Sequence, residues 1–162
     1  LPLLVAIKGQ CLGGGLEVAA AGSMLFAAAD AKLGQPEIKL AVFAPAASCL
    51  LPERIGQARA EDLLLSGRSM GAEEALKTGL VDSVSDDPEA AALAWFDQYL
   101  APSSAGTLRF AVIAARQEYR QRVIAKLARV EALYLEELMA TRDAVEGLSA
   151  FLEKRSAKWE NR

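Results

Sequence analysis

Two carboxylates and a run of glycines are the residues of this sequence that could do chemistry together. Three consecutive glycines, Gly13 to Gly15, lie between an apolar stretch and a predicted helix, and Glu17 follows in the first helical turn. Glycines at a strand-to-helix corner leave the backbone accessible, and the first amides of a helix have no intrahelical acceptor. Such a corner can stabilise a carbonyl oxygen that becomes negative during a reaction.

The second carboxylate is Glu37, which follows Pro36 after a short extended segment. Loops at the carboxyl ends of strands often carry functional residues, so Glu37 could face Glu17 across a pocket. Two facing carboxylates cannot both ionise freely, and the raised pKa of one lets it donate a proton while the other accepts one.

Each of these residues also has a purely structural interpretation. The glycines and Glu17 are consistent with an ordinary tight turn whose acidic residue matches the helix dipole, and Glu37 with a residue on the rim of a loop. A phosphate-binding loop fits less well, because Val18 occupies the third glycine position of the GxGxxG pattern.

Composition excludes several classes of function. The chain has 162 residues, about one domain, and its net charge of −3 gives no reason to expect nucleic acid. It contains no histidine, which excludes Ser-His-Asp and Cys-His catalysis and histidine-ligated metals, and we expect no metal site. Cys11 and Cys49 are predicted to be buried free thiols of a cytoplasmic protein. No apolar run approaches the roughly 18 residues of a membrane-spanning helix.

Hydrophobic periodicity predicts an α/β arrangement followed by helices alone. Strands are predicted over residues 3–7, 24–28 and 80–84, and helices over residues 16–23, 44–55, 58–66, 70–79, 88–100, 108–117, 123–139 and 145–159. The helix over residues 88–100 is expected to bury Leu93, Phe96 and Leu100. The basic side chains of residues 116–129 are expected to form a solvated face.

Five segments resemble, in order, the crotonase family of enoyl-CoA hydratases and isomerases. They are residues 8–17, 32–38, 65–75, 79–82 and 147–155. The resemblance implies a crotonase-like (ββα) spiral core, with residues 1–101 as its later part, followed by an all-helical oligomerisation region over residues 102–162. Family members carry more sequence before the first strand, including another oxyanion amide. We therefore expect the chain to be the later part of a full member and a poor enzyme alone.

The resemblance also assigns roles to residues. It implies that the Gly14 amide stabilises the enolate of an acyl-CoA thioester, that Glu37 activates water or exchanges its proton, and that Glu17 holds the water. The two glutamate roles could be exchanged. Further substrate-binding positions implied by the resemblance are Leu12, Gly13, Pro45, Phe151 and Lys154, the last two near the CoA nucleotide. Coenzyme A enters as part of the substrate, no other cofactor is expected, and the family forms trimers or pairs of trimers.

Residues 34–48 most resemble the cyclohexa-1,5-diene-1-carbonyl-CoA hydratase branch of the family. Where ordinary hydratases have a glycine-rich segment, this chain has Ala44, Pro45 and Ala46, and proline has no N–H to offer. We expect hydration of an enoyl-CoA or cyclic dienoyl-CoA. The alternatives are double-bond isomerisation or other enolate chemistry, and a non-catalytic acyl-CoA-binding subunit.

Overall fold

The computed structural model describes residues 1–161, which form two small sheets surrounded by helices. The strands are β1 (Leu4–Ile7), β2 (Gln10–Leu12), β3 (Met24–Ala28), β4 (Lys32–Gly34), β5 (Ser69–Gly71) and β6 (Ser83–Ser85). The α-helices are α1 (Gly14–Ala20), α2 (Pro45–Ile55), α3 (Gln57–Ser66), α4 (Ala72–Thr78), α5 (Pro88–Trp95), α6 (Ala105–Ala132) and α7 (Arg142–Leu152). Short 3₁₀ helices span Pro36–Leu40 and Leu138–Ala140, and π-helical turns span Phe96–Leu100 and Leu133–Glu137.

The two sheets have three strands each. The first has the order β1-β3-β6 and is parallel throughout, with Val5 opposite Leu25. The second has the order β2-β4-β5, in which β2 and β4 are parallel and β5 is antiparallel to β4. Parallel neighbours require a crossover connection, and α1 lies in the connection between the parallel strands β1 and β3. The α/β class predicted from the sequence is confirmed.

The core holds the elements around the glycine corner together. Five leucines with no exposed surface come from α1, β3, β4, α2 and α3: Leu16, Leu25, Leu33, Leu51 and Leu63. Burying a leucine side chain stabilises the fold by about 1.5–3 kcal/mol. This packing fixes α1 and α2 relative to β2 and β4, the strands that precede the glycine corner and the segment that carries Glu37.

Two basic side chains of α6 bond to backbone carbonyl groups of the α/β core, so the prediction of a solvated face is wrong for Arg116 and Lys126, whereas Arg122 is exposed as predicted. Arg116 donates to the carbonyl oxygen of Ala21 at 2.8 Å, and Lys126 donates to the carbonyl oxygen of Ser48 at 2.7 Å. Arg122 forms an ion pair with Glu53 at 2.7 Å. These bonds reach residues that are far apart in sequence, which composition alone does not reveal.

The helix predicted over residues 88–100 is present, but its predicted buried face is wrong. Leu93 is 64% exposed and Phe96 is 43% exposed. The helix instead packs on β1 and β3 through small buried residues, Pro88 and Ala92, and through Trp95, whose ring meets Phe26 edge-on at 6.4 Å. Small residues allow a close approach to the sheet, and Leu93 then points away from it.

Several predicted boundaries also differ. The first helix begins at Gly14 and not at residue 16, because the glycines adopt the first helical turn. The three-residue strands β2 and β5 were not predicted. The two helices predicted over residues 108–139 are largely continuous, since no glycine or proline interrupts them. The last helix ends at Leu152. Both cysteines are buried and free, as predicted. Among residues 1–161, no helix combines the length and apolarity of a membrane span.

We predict that Gly147→Ala loosens the contact between α7 and the 3₁₀ helix Pro36–Leu40. An added Cβ would overlap the carbonyl group of Leu40, with its carbon atom 2.6 Å away. Overpacking of this kind is expected to lower the free energy of unfolding by about 1–3 kcal/mol. Denaturant unfolding measures the change. Gly106→Ala is the control, because an added Cβ would meet only the Ser104 hydroxyl at 3.6 Å. Equal stability of Gly147→Ala and the wild type would contradict the packing.

Candidate active site

Gly13 forms a corner that only glycine can occupy. Its backbone has φ 56° and ψ −130°, between the end of β2 and the start of α1, and residues with side chains rarely adopt this conformation. A Cβ at this position would lie 2.6 Å from Oε1 of Glu37. Because Gly13 has no side chain, the Glu37 carboxylate can occupy this space.

The peptide groups on both sides of Gly13 are held by hydrogen bonds. Its N–H donates to the carbonyl oxygen of Gly34 at 3.0 Å, as an extension of the β2–β4 pairing. Its carbonyl oxygen accepts from the N–H of Glu17 at 3.0 Å and from Nε2 of Gln35 at 3.3 Å. The N–H of Gly13 is bonded within the sheet. Only the carbon atoms of this residue therefore remain for the predicted substrate contact.

Gly14 begins α1 and is exposed, with open space where a Cβ would stand. Among residues 1–161, no acceptor is recorded for its N–H. This donor follows Gly13, where an added Cβ would meet the Glu37 carboxylate. The corner thus places an available amide near a carboxylate.

Glu17 is oriented by the beginning of α2. Its Oε1 accepts a hydrogen bond from the backbone N–H of Ala47 at 2.8 Å, one of the N–H groups in the first turn of a helix that have no intrahelical acceptor. Pro45 is the first residue of α2, where its missing N–H costs nothing. The half-buried Glu17 side chain therefore has one oxygen fixed by α2, and the other has no recorded partner among residues 1–161.

Glu37 lies on the 3₁₀ helix Pro36–Leu40 with its carboxylate partly removed from water. Its Oε2 is buried and has no hydrogen-bond partner among the described residues. Burial raises the pKa of Glu37, the negative charge of Glu17 raises it further, and its own backbone N–H opposes the change. The two carboxylates are therefore near enough to interact, and Glu37 is the one whose protonated form is favoured.

Gln35 is a residue of this site that the sequence analysis missed. It is 1% exposed, immediately before the 3₁₀ helix that carries Glu37. Its Nε2 donates to Gly13, and its Oε1 is buried without a partner among the described residues. A glutamine in a Gly-Gln-Pro-Glu sequence carries no periodicity signal that marks it as buried.

The remaining predicted residues separate into two groups. Leu12 ends β2 directly before the corner, and Pro45 begins α2 two residues before Ala47, the residue that donates to Glu17. Phe151 is 62% exposed near the end of α7, and Lys154 lies just beyond that helix with φ 53°. Within residues 1–161, no hydrogen bond or ion pair connects Phe151 or Lys154 to the glutamates.

This arrangement can carry out proton transfer beside a carbonyl oxygen that gains negative charge. A carboxyl group with a raised pKa can donate a proton near neutral pH, and an ionised neighbour can hold a water molecule. An exposed backbone N–H can accept the developing charge. The elements that supply these groups are α1, with the corner before it, and the 3₁₀ helix Pro36–Leu40.

The raised pKa of Glu37 predicts how stability depends on pH. The folded protein holds this proton more tightly than the unfolded chain, so the stabilisation is complete below the unfolded pKa of about 4.3. It is lost as pH rises through the higher folded pKa. The side chain of Glu37→Gln cannot ionise. We therefore expect the free energy of unfolding of this variant to increase relative to that of the wild type as pH rises.

Denaturant unfolding at pH values below and above about 4.3 measures the difference between the two proteins. Glu53→Gln is the matched control, because the hydrogen bond from Arg122 lowers the pKa of Glu53. The stability that Glu53 contributes is lost as pH falls through its folded pKa, so its variant should fall behind the wild type as pH rises toward about 4.3 and show no further change above that pH. The same slope for both variants would contradict the assignment for Glu37.

Comparison with known proteins gives one consistent family. A sequence profile described as enoyl-CoA hydratase/isomerase matches residues 1–162. Cyclohexa-1,5-dienecarbonyl-CoA hydratase of Thauera aromatica is 69% identical over 162 residues, which are 100% of this chain and 63% of that protein. Mitochondrial methylglutaconyl-CoA hydratase of Rattus norvegicus is 34% identical over 98% of this chain and 52% of that protein.

A solved structure gives the same result for the fold. The crystal structure of an enoyl-CoA hydratase/isomerase from Pseudoalteromonas atlantica superposes with a TM-score of 0.86 at 32% identity. The match covers 98% of this chain and 64% of that structure. The chain thus spans less than two thirds of the length of each of these three proteins.

Proposed function

Because this chain belongs to the enoyl-CoA hydratase/isomerase family, we propose that it carries the catalytic glutamates of a hydratase acting on a cyclic dienoyl-CoA thioester. The acyl class is supported by the 69% identity to the cyclohexa-1,5-dienecarbonyl-CoA hydratase of Thauera aromatica. The activity is proposed for the complete protein, since the chain spans 63% of that relative's length.

One observation carries the proposal: two carboxylates from separate elements meet at the glycine corner. Oε1 of Glu37 occupies the space where a Cβ at Gly13 would stand, and the charge of Glu17 acts on Glu37. The Gly14 N–H, free of any recorded acceptor within residues 1–161, follows directly in the chain. A base, an acid and an oxyanion donor are the groups that hydration of a conjugated thioester requires.

In the proposed reaction, Glu17 holds a water molecule and Glu37 accepts its proton. The water oxygen bonds to the β-carbon of the substrate, and the electron pair of the double bond moves toward the thioester oxygen. The Gly14 N–H stabilises that oxygen in the enolate. Glu37 then returns its proton to the α-carbon, so that one water has been added and no charge remains. The two glutamates could exchange these roles.

The other features of the protein follow from the same proposal. Coenzyme A is part of the substrate, no further cofactor takes part, and Phe151 and Lys154 lie near the CoA nucleotide. The protein is a cytoplasmic homo-trimer or homo-hexamer that acts in the degradation of aromatic compounds. Exposed apolar side chains on α6, among them Phe110, Ile113 and Ile124, support its role in subunit contacts. Light scattering of the complete protein measures the subunit number.

A panel of acyl-CoA substrates tests the function in the complete protein. Cyclohexa-1,5-diene-1-carbonyl-CoA, crotonyl-CoA and a β,γ-unsaturated acyl-CoA are incubated separately, and the products are identified by mass spectrometry and by NMR, which locates the double bond. Gain of one water on the cyclic dienoyl thioester is the expected result. A double bond that moves without a change of mass would identify an isomerase. Binding without turnover of any thioester would identify a non-catalytic acyl-CoA-binding subunit.

A further inference from the structure

Gln35 is buried against the peptide group that supplies the proposed oxyanion donor. Its side chain is 1% exposed, and its Nε2 donates to the carbonyl oxygen of Gly13 at 3.3 Å. That carbonyl belongs to the same peptide group as the N–H of Gly14. Because the peptide group is planar, a bond that fixes its oxygen also fixes the direction of its N–H.

The bond from Gln35 also affects the strength of the donor. A carbonyl that accepts hydrogen bonds becomes more polarised, and the N–H of the same peptide group becomes a better donor, most of all in surroundings of low dielectric. The Gly13 carbonyl accepts two bonds, from Glu17 in the helix and from Gln35 across the corner. Gln35 is the member of this pair that is not part of the regular helical pattern.

The other half of the Gln35 amide does not contribute to stability. Its Oε1 is buried and has no partner among residues 1–161. An unpaired buried acceptor is unfavourable, and an apolar side chain of similar shape would avoid the loss. A methionine would have a similar length and would bury no unpaired acceptor.

We propose that Gln35 is a positioning residue that orients and polarises the Gly13–Gly14 peptide group for the thioester oxygen. This inference rests on the proposed function, since it names the group that supports its oxyanion donor. Gln35 does not touch the reacting atoms and acts through the Gly14 N–H. Gln35 lies two residues before Glu37. One short segment therefore carries both the proposed acid and the residue that orients the oxyanion donor.

Gln35→Met in the complete protein tests the proposal, because methionine keeps the length of the side chain and removes the donor. We expect kcat to fall about tenfold with little change in KM, which is less than the hundredfold or more that follows loss of a direct oxyanion donor. Thermal stability should stay equal or rise. Infrared spectroscopy of bound cyclohexanecarbonyl-CoA, labelled with carbon-13 at the thioester carbonyl, should show a smaller lowering of the carbonyl frequency than in the wild type.

Ser85→Ala is the matched control, because it removes a different buried oxygen on β6, the Ser85 hydroxyl, which also has no partner among residues 1–161. It should leave kcat and the carbonyl frequency unchanged. Gln35→Leu replaces the methionine variant if the latter does not fold. A wild-type carbonyl shift that persists in the variant, with unchanged kcat, would overturn the role of Gln35 and leave the hydratase proposal intact. No hydration and no carbonyl shift in the wild type would overturn both.

Discussion

Glu37→Gln is expected to lower kcat for hydration by about 10²–10⁴-fold, the usual contribution of a positioned general acid or base. Glutamine keeps the shape of the side chain beside Gly13 and cannot accept or return a proton. Substrate binding should change little, because the variant retains the corner and the Gly14 N–H. Steady-state kinetics of the complete protein with the cyclic dienoyl-CoA measure kcat and KM separately.

Comparison with Glu17→Gln separates the two carboxylates. The amide oxygen of that variant can still accept from the N–H of Ala47, so the fold should be retained and the loss of rate traced to chemistry. Glu53→Gln is the control, because Glu53 is paired with Arg122. We expect this replacement to leave kcat unchanged. Two folded variants, at positions 17 and 37, that both hydrate at the wild-type rate would refute the two-carboxylate mechanism.

The α/β class was predictable because it depends on strong local patterns. The apolar strand predicted over residues 24–28 coincides with β3, and the family resemblance is confirmed by the profile match over the whole chain. The strands β2 and β5 were not predictable, because three residues carry no periodicity and each strand exists only through pairing with β4. The division of the chain at residue 102 stays a prediction.

The residues of the candidate site remain a prediction, and the contacts that position them could not be predicted from the sequence. The order of the motifs indicated Gly14, Glu17 and Glu37, and the structure brings them to one corner. The bond from Ala47 to Glu17 joins residues 30 positions apart, and only the packing of α1 on α2 creates it. The burial of Gln35 likewise depends on β4 lying beside β2. Long-range packing of this kind leaves no local pattern to find.

Gly13→Ala is expected to reduce the rate of hydration about a hundredfold, because the added methyl group displaces the carboxylate of Glu37. The new Cβ would lie 2.6 Å from Oε1 of Glu37, so the carboxylate must shift, and a displacement of about 1 Å at a reacting group can cost about 10²-fold in rate. The φ of 56° adds backbone strain of about 1–3 kcal/mol. Kinetics measure the first effect, and denaturant unfolding measures the second.

Gly56→Ala separates strain from displacement. Gly56 joins α2 to α3 with φ 80° and ψ 158°, a conformation that also favours glycine, and an added Cβ there meets no atom within 4 Å. Both variants should lose comparable stability, and only Gly13→Ala should lose activity. Full activity in a folded Gly13→Ala protein would mean that hydration does not depend on the place that Gly13 leaves for Glu37. Equal losses of activity in both variants would assign the effect to stability alone.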